Sequence, residues 1–250
     1  MPTDSPVLTL VGKPIPGALD RHASVPGFDQ DRLSSAHVLC VGAGGLISHI
    51  APTLVRKGVG TLTVLDDDEV EVSNLNRQLF YSDDIGKNKA LALVKNLQRE
   101  CTFPTKLRGI AMRLETAIDA NVDLACNVAV VGVDNNPARI LASRLFRAMG
   151  APTIFCAVSA LADHGYVFVQ EPDGPCIGCL FPDVANDNRY PCPGTPAMSD
   201  VLQIVGALAV YAVDTCLMAR PRGWNLRRVY LQDGASDCSA MLRKMCPSCR

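Results

Sequence analysis

The feature that most constrains this chain is a glycine turn set between a short apolar run and an amphipathic one. His37–Val41 reads as a strand, Gly42-Ala43-Gly44-Gly45 follows at once, and Gly45–Lys57 reads as a helix with Pro52 inside it. Such a turn aims backbone N–H groups and a helix N-terminus at one point, which suits a phosphate. A second strand, Thr61–Leu65, ends in the acidic run Asp66-Asp67-Asp68-Glu69, so Asp66 falls about twenty residues after the glycines, where a carboxylate can take ribose hydroxyls. Taken alone, this pattern fits any dinucleotide-binding fold as well as an ATP site. Ile47 stands where the last glycine of GxGxxG is expected, and a side chain there is expected to loosen helix–strand packing or reshape the phosphate pocket.

The rest of the first two thirds keeps the alternation. Helices are expected at Asn88–Cys101 and Pro137–Met149, and strands at Lys106–Met112, Val128–Val133 and Thr153–Val158. The unbroken apolar run of Val128–Val133 suits a parallel strand covered on both faces. A Rossmann-like, doubly wound, mainly parallel sheet follows. Beyond it the rhythm changes. Tyr166–Gln170 alternates as an antiparallel strand does; a Pro/Gly/Cys loop, an apolar helix at Val201–Ala219 and strand-like Arg228–Leu231 complete the chain. The C-terminal portion is therefore expected to be antiparallel. Residues 1–30, rich in Pro and Gly, read as an extended arm, and 31–250 as a single domain.

Composition narrows the partners. With 48% hydrophobic residues and a net charge of −1, the chain has a globular core and no general attraction to nucleic acid or an anionic membrane. Gln203 and Asp214 interrupt the apolar run at Val201–Ala219, so it reads as a buried core helix rather than a membrane span. No secretory leader pattern opens the sequence, and the 11 cysteines are scattered apart from two CxxC pairs, which points to reduced thiols in the cytoplasm. Cys176-Ile177-Gly178-Cys179 and Cys246-Pro247-Ser248-Cys249 together offer four thiolates for tetrahedral, structural zinc. Two accidental pairs, or a redox CxxC, are the competing readings. Cys40, Cys126, Cys156 and Cys216 fall in apolar runs and read as small core residues.

The most informative stretch runs from Leu65 through Ser73-Asn74-Leu75-Asn76-Arg77-Gln78 to Gly86-Lys87-Asn88-Lys89. Asn74, Arg77 and Gln78 share one face of a helical turn by their spacing. Arg77 and Lys89 then stand near a phosphate loop, an arrangement that suits a triphosphate and a departing pyrophosphate better than a nicotinamide. With the GxGG loop, the acidic strand end, the SNLxRQ block, the GxxK helix start, Val133-Asp134-Asn135 and the paired CxxC motifs, the sequence resembles the ThiF/MoeB/HesA enzymes and the adenylation domains of ubiquitin-activating enzymes over about Arg21 to Cys249.

The resemblance implies an ATP- and Mg²⁺-dependent adenylyltransferase acting on the C-terminal glycine of a small ubiquitin-like or sulfur-carrier protein. It implies that Gly42, Gly44 and Gly45 line the nucleotide, that Asp66 takes the ribose, with Asp68 beside it in the same acidic strand end, that Asn74, Arg77, Gln78 and Lys89 contact phosphates, and that Asp134 holds magnesium. A plain Asx turn is the alternative for Asp134. Family members are often homodimers in which an arginine of one arm reaches the partner's phosphates. Arg21, seven residues before Phe28, has the spacing for that role, against the alternative of a solvated arm residue. Cys192, in Tyr190-Pro191-Cys192-Pro193-Gly194-Thr195, matches the place of a second-step cysteine in relatives that pass the acyl group on; a spare thiol is the alternative. No rhodanese or ubiquitin-fold domain is expected beyond the second CxxC, so a conjugating enzyme or sulfur donor is expected to be a separate protein. Adenylation of a peptide or small carboxylate, a non-catalytic partner subunit and a nicotinamide-dependent oxidoreductase are the rival readings.

Overall fold

The computed structural model describes residues 6–182, 184, 197–244 and 246. Among the described residues, nine strands form one sheet: β1 (Val7–Val11), β2 (His37–Val41), β3 (Thr61–Leu65), β4 (Lys106–Ile110), β5 (Val128–Val131), β6 (Thr153–Val158), β7 (His164–Gln170), β8 (Leu226–Tyr230) and β9 (Ser236–Ser239). Their order is β1-β4-β3-β2-β5-β6-β7-β8-β9. The central run β4-β3-β2-β5-β6 is parallel, while β1 on one edge and β7 to β9 on the other pair antiparallel. The helices are α1 (Gln30–Ser35), α2 (Gly45–Arg56), α3 (Lys89–Leu97), α4 (Leu114–Asp119), α5 (Asn136–Ala148), α6 (Ile177–Leu180) and α7 (Ser199–Leu217).

Strand alternation divides the core into two layers. Val38 and Cys40 of β2, with Val128 and Val130 of β5, pack beneath α2, α3 and α7. Leu39, Val41, Ala129 and Val131 point the other way, toward α4 and α5, where Phe146 is fully buried. Both faces of the parallel strands are thus covered, which is why β5 is apolar at every position. In α7 the one buried carboxylate, Asp214, forms an ion pair with Lys57 at the end of α2. By length and composition α7 could cross a membrane; here it packs against α2, β6 and β7 as a core helix.

Strands β2, β3 and β6 have the bounds that their apolar runs predict, whereas α3 ends at Leu97 rather than at Cys101. Val7–Val11 is an edge strand of the sheet, held by antiparallel pairing from Val7↔Ile110 to Val11↔Lys106. Ile47 does not loosen the packing of α2: it is fully buried. A Cβ on Gly132, just past β5, would stand 3.0 Å from Ile47 Cγ1. The helix–strand approach is therefore kept by a glycine on the strand side instead of the helix side.

Candidate active site

The chain leaves β2 toward β3 on one side and returns to β5 on the other, so a crevice opens where β2 and β5 end. Backbone bonds stitch three strand ends together there: Gly42 N–H donates to Leu65 O (2.7 Å) and Gly132 N–H to Val41 O (3.0 Å). Gly42 has φ +96°, and a Cβ on it would meet Gly132 O at 3.2 Å, so the turn requires glycine. Around Gly44, by contrast, a Cβ would meet nothing within 4 Å, which leaves the backbone there open to a ligand.

Asp66 fixes this loop. Its Oδ2 accepts from Ala43 N–H (2.6 Å) and its Oδ1 from Asp68 N–H (2.8 Å). Burial pushes its carboxyl up to about 6, against the opposing pull of Lys89 and of these two N–H groups. Lys89, at the start of α3, pairs through Nζ with Asp68 Oδ2 at 2.8 Å, and Arg113 pairs with Asp67 at 2.6 Å. Asn88, to which sequence reasoning assigns no role, ties the acidic run to the helix. Its Nδ2 donates to Asp66 O (2.9 Å) and Asp68 O (3.2 Å), while its Oδ1 caps α3 by accepting from Leu91 N–H (3.1 Å).

The Asn74–Gln78 segment is a tight turn after a short 3-10 helix, Val72–Asn74. Asn74 is buried; its O accepts from both Arg77 N–H and Gln78 N–H, and its Oδ1 from Glu71 N–H at 3.0 Å. Asn74 thus shapes the turn. The guanidinium of Arg77 donates to Ser73 O (2.7 Å) and Asn76 Oδ1 (2.9 Å), both neutral, so no carboxylate among the described residues cancels its charge.

Asp134 is exposed three residues beyond β5, and its one hydrogen bond among the described residues is a long one from Asn135 Nδ2 at 3.5 Å. Asn135, not Asp134, caps α5, through Oδ1 to Ala138 N–H (2.9 Å). The carboxylate of Asp134 is therefore open at the crevice, as a magnesium ligand requires.

Arg21 lies elsewhere. It is exposed in the turn Asp20–Ser24, which is held by His22 Nδ1 to Gln30 Oε1 (2.8 Å), and Gln30 Nε2 in turn donates to Lys57 O (2.9 Å). Lys57 and Gly60 precede β3, so Arg21 stands at the end where the parallel strands begin, a strand length from its own glycine loop.

Cys176, Cys179 and Cys246 converge, with sulfur separations of 3.3, 3.7 and 3.8 Å. A tetrahedron with Zn–S bonds of about 2.3 Å places its sulfurs about 3.8 Å apart, so the three thiols fit zinc. Burial raises the Cys176 thiol well above the ordinary range, and a metal would relieve that cost by taking the thiolate. Cys249 and Cys192 lie outside the described residues.

A ThiF family model matches residues 19–245. The SAMP-activating enzyme E1 of Haloferax volcanii is 35% identical over 177 residues, covering 69% of this chain and 63% of that protein. The sulfur carrier protein adenylyltransferase of Thermus thermophilus is 34% identical over 185 residues, covering 72% and 68%. The chain thus spans about two thirds of the length of these relatives. Among solved structures, E. coli MccB with succinimide superposes at TM-score 0.73 and 21% identity, over 88% of this chain and 68% of MccB. MccB with ATP gives a TM-score of 0.71 at 22% identity, over 88% and 68%. At these identities the structural likeness is one of fold: a mixed sheet of the same arrangement with helices on both faces. The matched model, the sequence relatives and the fold agree, and the chain belongs to the ThiF family.

Proposed function

We propose that this protein adenylates the C-terminal glycine carboxylate of a small ubiquitin-like or sulfur-carrier protein, using ATP and releasing pyrophosphate. The observation that carries the proposal is the joining of the Gly42–Gly45 loop, Asp66, Lys89 and the open carboxylate of Asp134 at the ends of three stitched strands, with the unneutralised Arg77 on the turn that follows β3. The relatives named above, a SAMP-activating enzyme and a sulfur carrier protein adenylyltransferase, favour the same substrate class.

In this reading a carboxylate oxygen of the carrier attacks the α-phosphorus and the bond to the β-phosphate oxygen breaks. No general base is needed, because the nucleophile is already ionised at neutral pH. Gly42, Gly44 and Gly45 present backbone to the nucleotide, and Asp66 and Asp68 line its ribose end. Asn74 and Gln78 set the turn that carries Arg77, and Arg77 and Lys89 neutralise the leaving pyrophosphate. Asp134 would hold Mg²⁺, which supplies charge neutralisation at the phosphates. Arg21 cannot reach its own loop from the far end of the sheet; in a homodimer it would serve the partner's site. Cys176, Cys179, Cys246 and Cys249 would hold structural Zn²⁺ and tie the C-terminal tail to the body. A second step, attack of the Cys192 thiolate on the acyl-adenylate with release of AMP, would make a thioester for a separate conjugating enzyme or sulfur donor. Such chemistry belongs to a reducing, cytoplasmic setting.

The test is exchange of labelled pyrophosphate into ATP in the presence of a small protein ending in Gly-Gly. Carrier-dependent exchange that is lost in Asp134→Ala and kept in Cys192→Ala supports adenylation, and a reducible adduct on gels then judges Cys192. Absence of exchange with any such carrier, despite tight ATP binding, favours a peptide or small-carboxylate substrate or a non-catalytic subunit.

A further inference from the structure

A sheet exposes backbone at both of its edges, and the two edges of this one differ. Among the described residues no strand pairs with the outer side of β9 or of β1. β9, Ser236-Asp237-Cys238-Ser239, is short, polar and charged at Asp237, the features that keep an edge from pairing with another chain. β1, Val7-Leu8-Thr9-Leu10-Val11, holds no charge, proline or glycine, and β-branched residues fill three of its positions. It also precedes residues 19–245, the span matched by the ThiF model, so it is an addition to the matched region.

The ladder fixes which groups of β1 face outward. Ala111 N–H donates to Pro6 O (2.7 Å) and Gly12 N–H to Thr105 O (2.9 Å). Bonded pairs alternate along an antiparallel ladder, so Leu8 and Leu10 bond to β4 while Thr9 turns its N–H and C=O away from it. Val11 O faces the same outer side, where Gln98 Nε2 donates to it at 3.3 Å and leaves its second lone pair open. Leu8 and Leu10 lie half-buried on the α3 side, packed on the first core layer, whereas Thr9 and Val11 are exposed, Val11 by 56%.

The order of residues says what the edge pairs with. Val7-Leu8-Thr9-Leu10-Val11 reads the same in both directions about Thr9. A two-fold axis at Thr9 therefore sets Thr9 against the partner's Thr9, Leu8 against the partner's Leu10 and Val7 against the partner's Val11, so every cross-strand pair is like on like in shape and polarity. Pro6 to Gly12 hold no charge, so the axis brings no like charges face to face. Arg108, opposite Thr9 on β4, stands one strand back; its two copies would lie three strand spacings apart, about 14 Å, beyond the Debye length. We infer that β1 is a self-association surface, through which two copies of this chain pair antiparallel and continue one sheet into the other. The contact of two five-residue strands is smaller than the usual interface of about 800 Å² per partner, so the association is weak, on the order of micromolar to millimolar. The inference stands whether or not the chain adenylates a carrier.

Sedimentation equilibrium of the full chain over a wide concentration range, for wild type and Thr9→Pro, reads the association. Proline at an outward-facing N–H keeps the bonds to β4 and removes the two central bonds of the seam, Thr9 N–H to the partner's Thr9 O and its symmetry mate. Wild type should gain mass with concentration, and Thr9→Pro should associate about tenfold or more weakly, the loss expected for two hydrogen bonds. A wild-type mass that does not rise with concentration, or equal association of the two proteins, overturns the inference and leaves the edge to a different protein. Thr9→Cys decides if the proline variant does not fold. Residues of a bonded antiparallel pair have Cα atoms about 5.5 Å apart, within the reach of a disulfide. Mild oxidation should then give a covalent dimer whose peptide map shows position 9 joined to position 9. A Thr9→Cys protein that gives no such link at concentrations where wild type associates places the contact elsewhere and overturns the inference.

Discussion

Replacing Asp66 by Asn should separate stability from nucleotide binding, with a pH dependence that carries a definite sign. The carboxyl is pushed from 3.8 to about 6 in the folded protein. That difference of about two units means that ionised Asp66 costs the fold about 3 kcal/mol relative to its neutral form. Because the folded pKa is raised, the native state holds the proton more tightly than the unfolded chain between about pH 4 and pH 6. Stability from this group is therefore greatest at the acid end of that window and is lost as pH rises through it. Asn never ionises, so the variant does not suffer the loss. It carries its own cost: Ala43 N–H and Asp68 N–H both point at acceptors, and Asn can offer only one oxygen, leaving one donor facing another at about 1–3 kcal/mol. The variant should be less stable than wild type near pH 4, and equal or more stable by up to about 2 kcal/mol at pH 7. Urea denaturation of both proteins across this range measures the difference directly, and other titrating groups cancel in the comparison. ATP affinity should fall at every pH, since the loop loses a contact and the ribose its carboxylate. A stability difference that does not change with pH, or a wild type more stable by several kcal/mol at pH 7, would refute the argument that burial dominates over the two backbone hydrogen bonds.

Other perturbations have equally definite outcomes. Gly132→Ala puts a Cβ 3.0 Å from Ile47 Cγ1 and 3.1 Å from Cδ1, and should cost about 1–3 kcal/mol by denaturation. The Gly132→Ala/Ile47→Ala double variant, which removes both crowded atoms, should lose less than the sum of the two single losses, and additive losses would show that the two sites do not touch. Lys57→Met leaves Asp214 buried without its partner and should destabilise by about 3–5 kcal/mol, while Lys57→Met/Asp214→Leu should recover much of it; an unaffected single variant would mean that the pair is solvated. Purified protein should contain one zinc per chain, and Cys176→Ala should lose both the metal and thermal stability. Metal content at the background level in wild type would remove the zinc reading.

The sequence makes much of this architecture legible, and the gaps have physical causes. Strands β2, β3 and β6 could be bounded because they are apolar runs closed by glycine, aspartate or polar residues. Strand β1, Val7-Leu8-Thr9-Leu10-Val11, is an apolar, β-branched run hidden among Pro and Gly until it pairs with Lys106–Ile110, about a hundred residues away, whereas β9 (Ser236–Ser239) carries polar side chains held by β8 and has no local signal. At the site, the glycine loop and Asp66 are visible as a pattern, because strand, turn and acidic strand end are consecutive. The exchange of a helix glycine for Gly132 against Ile47 is not, since the compensating residue lies eighty-five positions away in sequence and meets Ile47 only in the fold. Likewise Asn88 looks like any helix cap until its Nδ2 is found bonded to Asp66 O and Asp68 O.

The central claim is that the ends of β2, β3 and β5 form a centre that joins AMP to a protein carboxylate. The most direct measurement is a single-turnover reaction with ATP labelled at the α-phosphate and a small protein ending in Gly-Gly, followed by rapid quench and intact-mass analysis of the carrier. The account predicts label on the carrier as an acyl-adenylate, absent with Asp134→Ala and with a carrier lacking its terminal glycine. Label that never leaves the nucleotide pool, in protein that binds ATP and folds normally, would contradict it.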